Sequence, residues 1–209
     1  MIPAETAALF FLASAALALA PGPDNLFVLT QSALHGRGAG LLVTIGLCTG
    51  LLVHTAAVSL GVAVIFQTSA LAFNLLKAAG AIYLLYLAWQ AFNADATRPG
   101  DAGHVGMNFR RLYFRGVIMN LTNPKVAIFF LAFLPQFTDP MHGAISLQML
   151  LLGGIFIVAT LLIFGSIAWF AGFLGDWLKS SDRAQAVMNR IAGSIFAGLA
   201  LRLAISERQ

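Results

Sequence analysis

Apolar runs of roughly 20 residues or more recur along this chain, and that is the length an α-helix needs to cross about 30 Å of hydrocarbon. No soluble core has a use for so many of them. Of 209 residues, 59% are hydrophobic and only 10% charged, with a mean hydropathy of +0.86, whereas about a quarter of an ordinary soluble domain is charged. A transmembrane β-barrel would instead show alternating segments of about 10 residues. The fold class read from this pattern is an all-α integral membrane protein that crosses the bilayer several times.

The remaining composition narrows the functions. A net charge of +4 and a pI near 9.7 raise the question of nucleic acid, but no basic block with interleaved aromatics is present, and the charges sit between apolar runs. No nucleic-acid partner is expected. Cys48 is the single cysteine, so no internal disulfide or multi-cysteine metal site can form. His35, His54, His104 and His142 are scattered without ligand spacing, so neither a metal site nor a cofactor is expected. The start resembles a signal peptide ending at Ala18-Leu19-Ala20, but Glu5 precedes it, no Lys or Arg does, Pro21 follows the supposed cut, and the apolar pattern resumes at Leu26. It is read as part of the first span.

Six spans are predicted, at 4–33, 39–66, 69–92, 113–137, 145–175 and 187–206. The long hydrophilic linker covers 93–112, and a second polar break covers 176–186. Arg37 lies in the first short loop, Arg98, Arg110, Arg111 and Arg115 in or beside the third, and Lys179, Arg183 and Arg190 in or beside the fifth. With six spans these loops share one side, which the positive-inside rule makes cytoplasmic, so both termini are expected outside. Lys77 and Arg190 are read as snorkelling to headgroups.

An internal repeat is visible. Lys77-Ala78-Ala79-Gly80-Ala81-Ile82-Tyr83 aligns with Arg190-Ile191-Ala192-Gly193-Ser194-Ile195-Phe196, and spans 1 and 4 each carry a proline followed by a charge, Pro23-Asp24 and Pro124-Lys125. A half of three spans must be inverted relative to the next, an arrangement found in many secondary transporters. The chain is therefore expected to be one transporter domain over 1–209, with repeat one at 1–92 and repeat two at 113–209.

The chemistry concentrates where the first and fourth spans should break. Pro21, Gly22, Pro23, Asp24 and Asn25 interrupt span 1, where two prolines remove backbone donors. Asn123, Pro124 and Lys125 interrupt span 4, with Asn123 suited to cap and Pro124 to the first position of a new half-helix. Broken backbone at membrane depth is tolerated only where protein or a wet cavity satisfies it. Each deep charge costs roughly 2.5–3.5 kcal/mol on insertion scales, while one Leu returns only about 0.5. Two readings stay open. Asp24, Asn25, Asn123 and Lys125 bind a zwitterion, Asp24 taking its ammonium and Lys125 with the half-helix amino terminus taking its carboxylate. Alternatively they only cap half-helices and pair with each other.

These residues carry a resemblance. Ala20-Pro21-Gly22-Pro23-Asp24-Asn25-Leu26-Phe27-Val28-Leu29, Leu121-Thr122-Asn123-Pro124-Lys125 and Phe130-Leu131-Ala132-Phe133-Leu134-Pro135-Gln136-Phe137 resemble the LysE/RhtB family of bacterial amino-acid exporters over nearly the whole chain. Gly80–Leu87 and Phe196–Leu203 are similar to its leucine-exporter branch, and the proline motif with Asp24 to its threonine-exporter branch. Asn often replaces Asp at the position of Asp24 in that family. The resemblance implies a non-enzymatic secondary transporter of the bacterial inner membrane. It would export neutral or hydrophobic amino acids, or close analogues, driven by an ion gradient.

Asp24, the only acidic residue deep in a predicted span, is the candidate for proton coupling. His54 is a possible pathway residue or a packing histidine. Gly46 and Gly50 are read as close helix packing within the subunit, and Phe129, Phe130, Phe133 and Phe137 as core or lipid-facing. The number of subunits is open. The alternatives are a membrane-embedded enzyme acting on a lipid-linked substrate, which lacks a clustered acid, base and nucleophile, and a membrane scaffold without transport.

Overall fold

Proline chemistry lays out the first span. The computed structural model describes residues 2–20, 22–68, 70–93 and 108–171, together with scattered positions between 186 and 204. Helix α1 (Ala4–Leu19) stops just before Pro21, and α2 (Pro23–His35) restarts with Pro23 at its first position. Pro21, outside the described residues, has no N–H for the Leu17 carbonyl four residues back, and Pro23 has none for that of Leu19, so the helix cannot run through. The same missing donor costs nothing at the start of α2. The two helices are bent by 65°.

Gly36, at φ +84°, makes the left-handed turn into α3 (Arg37–Thr68), which is followed by α4 (Ala70–Phe92). Helix α5 (Phe109–Leu121) begins four residues earlier than the expected 113, because the Asn108 side chain caps it, accepting from the Arg111 N–H at 3.3 Å. Helix α6 (Pro124–Ile128) then restarts at a bend of 50°. Its continuation is not the plain helix expected to 137. It winds wide through a π turn at Phe129–Phe133, tightens to a 3₁₀ turn at Leu134–Phe137, and a further 3₁₀ turn spans Pro140–His142. Pro135 accounts for the change: it offers Leu131 no i→i−4 donor, and the Leu134 N–H reaches back to the Phe129 carbonyl instead. Helix α7 (Ile145–Trp169) completes the described elements.

Helices α3, over Arg37–Gly61, and α7 are each long and apolar enough to cross a membrane, at 25 residues apiece, and there are four candidate spans if each bent pair counts as one. At a rise of about 1.5 Å per residue, 25 residues reach roughly 37 Å. Every regular element among the described residues is helical. The sixth span expected at 187–206, most of the 93–112 linker, the break at 176–186 and the side chain of Lys77 fall largely or wholly outside the described residues.

Helix α3 is central. A Cβ on Gly46 would overlap the Tyr113 carbonyl of α5, and one on Gly50 would press on the Asn120 side chain at 2.6 Å. Small residues thus bring α3 and α5 into near-backbone contact inside one chain. Gly40 lies by Ala168 and Gly153 by Thr55, so α7 runs antiparallel to α3. The starts of α3 and α5 and the end of α7 therefore share one end of the bundle, where Arg37 sits 4.2 Å over the Trp169 ring and Arg115 sits 4.8 Å over that of Phe27.

The distribution of polarity suits lipid. Leu12, Leu52, Leu60, Leu71, Leu147 and Leu162 are exposed, while Ser14, Asp24, Gln31, Thr44, Asn120 and Thr160 are buried. Phe129, Phe130, Phe133 and Phe137 pack inward with Phe10 and Phe156, ring centroids lying 4.7–6.5 Å apart along the stack. This aromatic wall backs the two broken helices.

Candidate functional site

The orphaned carbonyls of α1 define one side of the site. Leu17 loses its helical partner to Pro21, and Lys125 supplies a replacement: its ammonium donates to the Leu17 carbonyl at 3.1 Å and to that of Ala20 at 3.1 Å. The negative end of α1 thus holds a cation from the other break. Asn25 treats the next carbonyl the same way, its amide donating to Ala18 at 2.7 Å. A Cβ on Gly22 would lie 3.4 Å from the Lys125 ammonium nitrogen, an ordinary contact distance, so this glycine packs directly against the Lys125 head.

The other side is the start of α6. Asn123 is extended at φ −77°, ψ 107°, and its Oδ1 accepts from the Lys125 backbone N–H at 3.0 Å, so it caps the half-helix that Pro124 opens. Its carbonyl accepts from Val126 and Ala127, which leaves that amino terminus closed by Asn123 itself. The amide Nδ2 of Asn123 donates to Asp24 Oδ2 at 2.7 Å. One side chain therefore caps the second break and ties it to the first.

Asp24 lies in the first turn of α2, where the helix dipole favours a negative group. It is 4% exposed, and its Oδ1 has no hydrogen-bond partner. Among the described residues the only ion pair is His142–Asp139. Asp24 and Lys125 are therefore neighbours without a direct bond, both lining one cavity of about 20 Å³. Its wall also includes Leu17, Asn120, Thr160 and Phe164.

Sequence reasoning singled out Asp24, Asn25, Asn123 and Lys125, and the structure brings them to the same meeting of broken helices. It passed over Asn120 and Thr160. Each is an isolated polar residue in an apolar helical stretch, Asn120 three positions before the capping Asn123 and Thr160 midway along α7; that isolation was the available signal. His54 does not line the cavity. Its Nε2 lies 3.3 Å from the Asn120 carbonyl and its ring 5.6 Å from that of Phe130, one residue removed from the site.

The arrangement offers a negative group and a positive group at the junction of four helix ends, inside an apolar shell.

The LysE type translocator family matches the chain over residues 15–207. The chain is 34% identical over 187 residues to a homoserine/homoserine lactone efflux protein of Salmonella typhimurium, covering 90% of both chains. It is 32% identical over 197 residues to a leucine efflux protein of the same organism, covering 90% of this chain and 89% of the relative. An uncharacterised membrane protein of Bacillus subtilis is 28% identical over 202 residues, covering 92% and 95%. No solved structure matches.

Proposed function

Because the chain belongs to the LysE type translocator family, not to a family of enzymes, we propose that it is a secondary transporter exporting neutral or hydrophobic amino acids, or close analogues, from the cytoplasm. The observation that carries this is the Asn123–Asp24 bond of 2.7 Å beside the Lys125 bonds to Leu17 and Ala20: two interrupted helices are stitched together by the polar groups a zwitterion needs. Leucine, homoserine and homoserine lactone, the molecules named for the relatives, share a primary ammonium, and the lactone has no free carboxylate. Recognition thus centres on the ammonium, with Asp24 Oδ1 as acceptor. Lys125 spends two of its three N–H donors on α1 and has one left for a carboxylate. Asn25 Oδ1, which is also unpartnered, adds an acceptor nearby.

The architecture that goes with this reading is six spans in the bacterial inner membrane, with halves 1–92 and 113–209 inverted about an in-plane twofold and both termini outside. The antiparallel packing of α3 on α7, the second spans of the two halves, supports it. The arginine-bearing end of the bundle then faces the cytoplasm. Opening to a more acidic exterior protonates Asp24, releases the ammonium, and lets the empty carrier return with a proton. A second reading is favoured by the bonds just described, namely that Asp24, Asn123 and Lys125 only hold the halves together. Efflux from proteoliposomes, with a panel of labelled amino acids and with or without an imposed pH gradient, tests the function. Movement of several neutral amino acids accelerated by an acidic opposite side is expected, and movement of none would overturn the proposal.

A further inference from the structure

Among the described residues, Thr160 is the one buried hydroxyl that bonds to no backbone carbonyl. Ser14, Ser32, Thr44 and Thr55 each donate to the carbonyl four residues back, at 2.7 Å, 2.7 Å, 2.9 Å and 2.7 Å, and Ser59 donates to the carbonyl three residues back at 3.1 Å, the usual ways to hide a hydroxyl in an apolar helix. Thr160 is 2% exposed, and its Oγ1 has no partner. Asn120 is 3% exposed, and its Oδ1 has none either. Both residues line the cavity of about 20 Å³ with Asp24, whose Oδ1 is likewise unpartnered. Three residues around one space thus each hold a buried oxygen without a partner, that of Asn120 lying beside Gly50 of α3, and each is costly by an amount similar to a lost hydrogen bond unless something donates to it.

The space fits one small polar head, of the size of a water molecule. All three unpartnered oxygens can accept, one of them on a carboxylate, and the Thr160 hydroxyl also carries a donor; the carboxylate repels an anion and favours a cation rich in donors. A primary ammonium has three N–H donors and about the volume of water. We infer that Asn120 and Thr160 complete, with Asp24, a three-acceptor pocket for the substrate's primary ammonium group, which makes α5 and α7 parts of the recognition site and sets selection against N-alkylated amines. The inference rests on the amino-acid reading given above. The Lys125 ammonium does not fill this role, because its donors are turned to Leu17 and Ala20.

The test is competition against counterflow in proteoliposomes of whichever of leucine and homoserine the wild type moves, using that amino acid and its N,N-dimethyl derivative. The dimethyl form keeps the charge but only one N–H. Wild type should favour the primary amine by about tenfold or more, the worth of a lost bond to a charged group. Thr160→Val, close in shape but without the hydroxyl, should raise the half-saturation concentration for the primary amine by about tenfold and leave that for the dimethyl form nearly unchanged. Thr160→Ser should restore the wild-type preference, and Asn120→Ser should weaken it. Equal shifts for both amines would mean that the oxygens hold a water only, and would overturn the pocket while leaving amino-acid export standing. A shift that follows sodium concentration instead of the amine would also overturn it. If wild type moves neither, the same competition is run with a neutral amino acid of the panel that it does move; movement of none overturns the transport reading and the pocket with it.

Discussion

Asn123 joins two functions that substitution can separate. Its Oδ1 caps α6 and its Nδ2 donates to Asp24, so Asn123→Ser keeps a capping oxygen but cannot reach the carboxylate. Asn123 is 6% exposed and Asp24 4%, so water cannot easily replace the lost bond. Losing a hydrogen bond to a charged acceptor costs about 1.5–3 kcal/mol. Asp24 is then left with neither oxygen partnered, since Oδ1 has no partner already. Asn123→Ala loses the cap as well, roughly another 1 kcal/mol. For a chain of this size about 1 kcal/mol shifts the melting temperature by roughly 2–4 °C. The expected falls in apparent Tm, in micelles at fixed detergent, are therefore about 3–12 °C for Asn123→Ser and about 5–16 °C for Asn123→Ala. In an Asp24→Asn background the serine variant should cost about 1 kcal/mol less, because the bond it removes is then between neutral groups. Equal losses for the two variants, unaffected by Asp24→Asn, would refute the claim that one side chain both caps and tethers.

Gly46→Ala places a methyl on the Tyr113 carbonyl and should destabilise the α3–α5 contact by about 1–3 kcal/mol, whereas Gly154→Ala, with nothing within 4 Å, should be neutral or slightly stabilising; melting curves that rank them the other way contradict the packing. Asp139, in the turn before α7, is held below the ordinary carboxylate value of 3.8, first by the Met141 backbone N–H and then by His142. Its contribution to that turn is present above the unfolded value and lost as pH falls through the lower folded one. His142→Ala should leave most of the depression in an NMR titration, and a return to the ordinary value would reverse the order of causes. Asp24 does not cap α2, and Asp24→Asn keeps its size and an oxygen that can accept from Asn123 Nδ2 while removing the titratable charge, so exchange should persist but net efflux should stop responding to a pH gradient; an unchanged response would sink the proton role.

The sequence revealed the breaks because proline acts locally: Pro21, Pro23 and Pro124 remove donors whatever surrounds them. The same reasoning reached Asn123 as a cap from its place before Pro124. What it could not reach depends on distant partners. Nothing local says that Lys125 turns to carbonyls 105 and 108 residues away in preference to the carboxylate of Asp24, or that Thr160 departs from the bonding pattern of Thr44 and Thr55. The wide and tight turns after Ile128 were missed although Pro135 was in view, because the consequence of a missing donor depends on how neighbouring helices hold the chain. The early start of α5 was hidden by Arg110 and Arg111, charges that read as linker until Asn108 is seen to cap them.

Under the proposed function, an amino acid binds at the junction of the two broken helices. Counterflow of labelled leucine or homoserine, with no ion gradient imposed, measures passage through that junction apart from any coupling. Equal reconstituted amounts of folded wild type and Lys125→Leu should differ, wild type exchanging label and the variant losing most of it. Lys125→Leu exchanging at the wild-type rate and half-saturation would contradict the account.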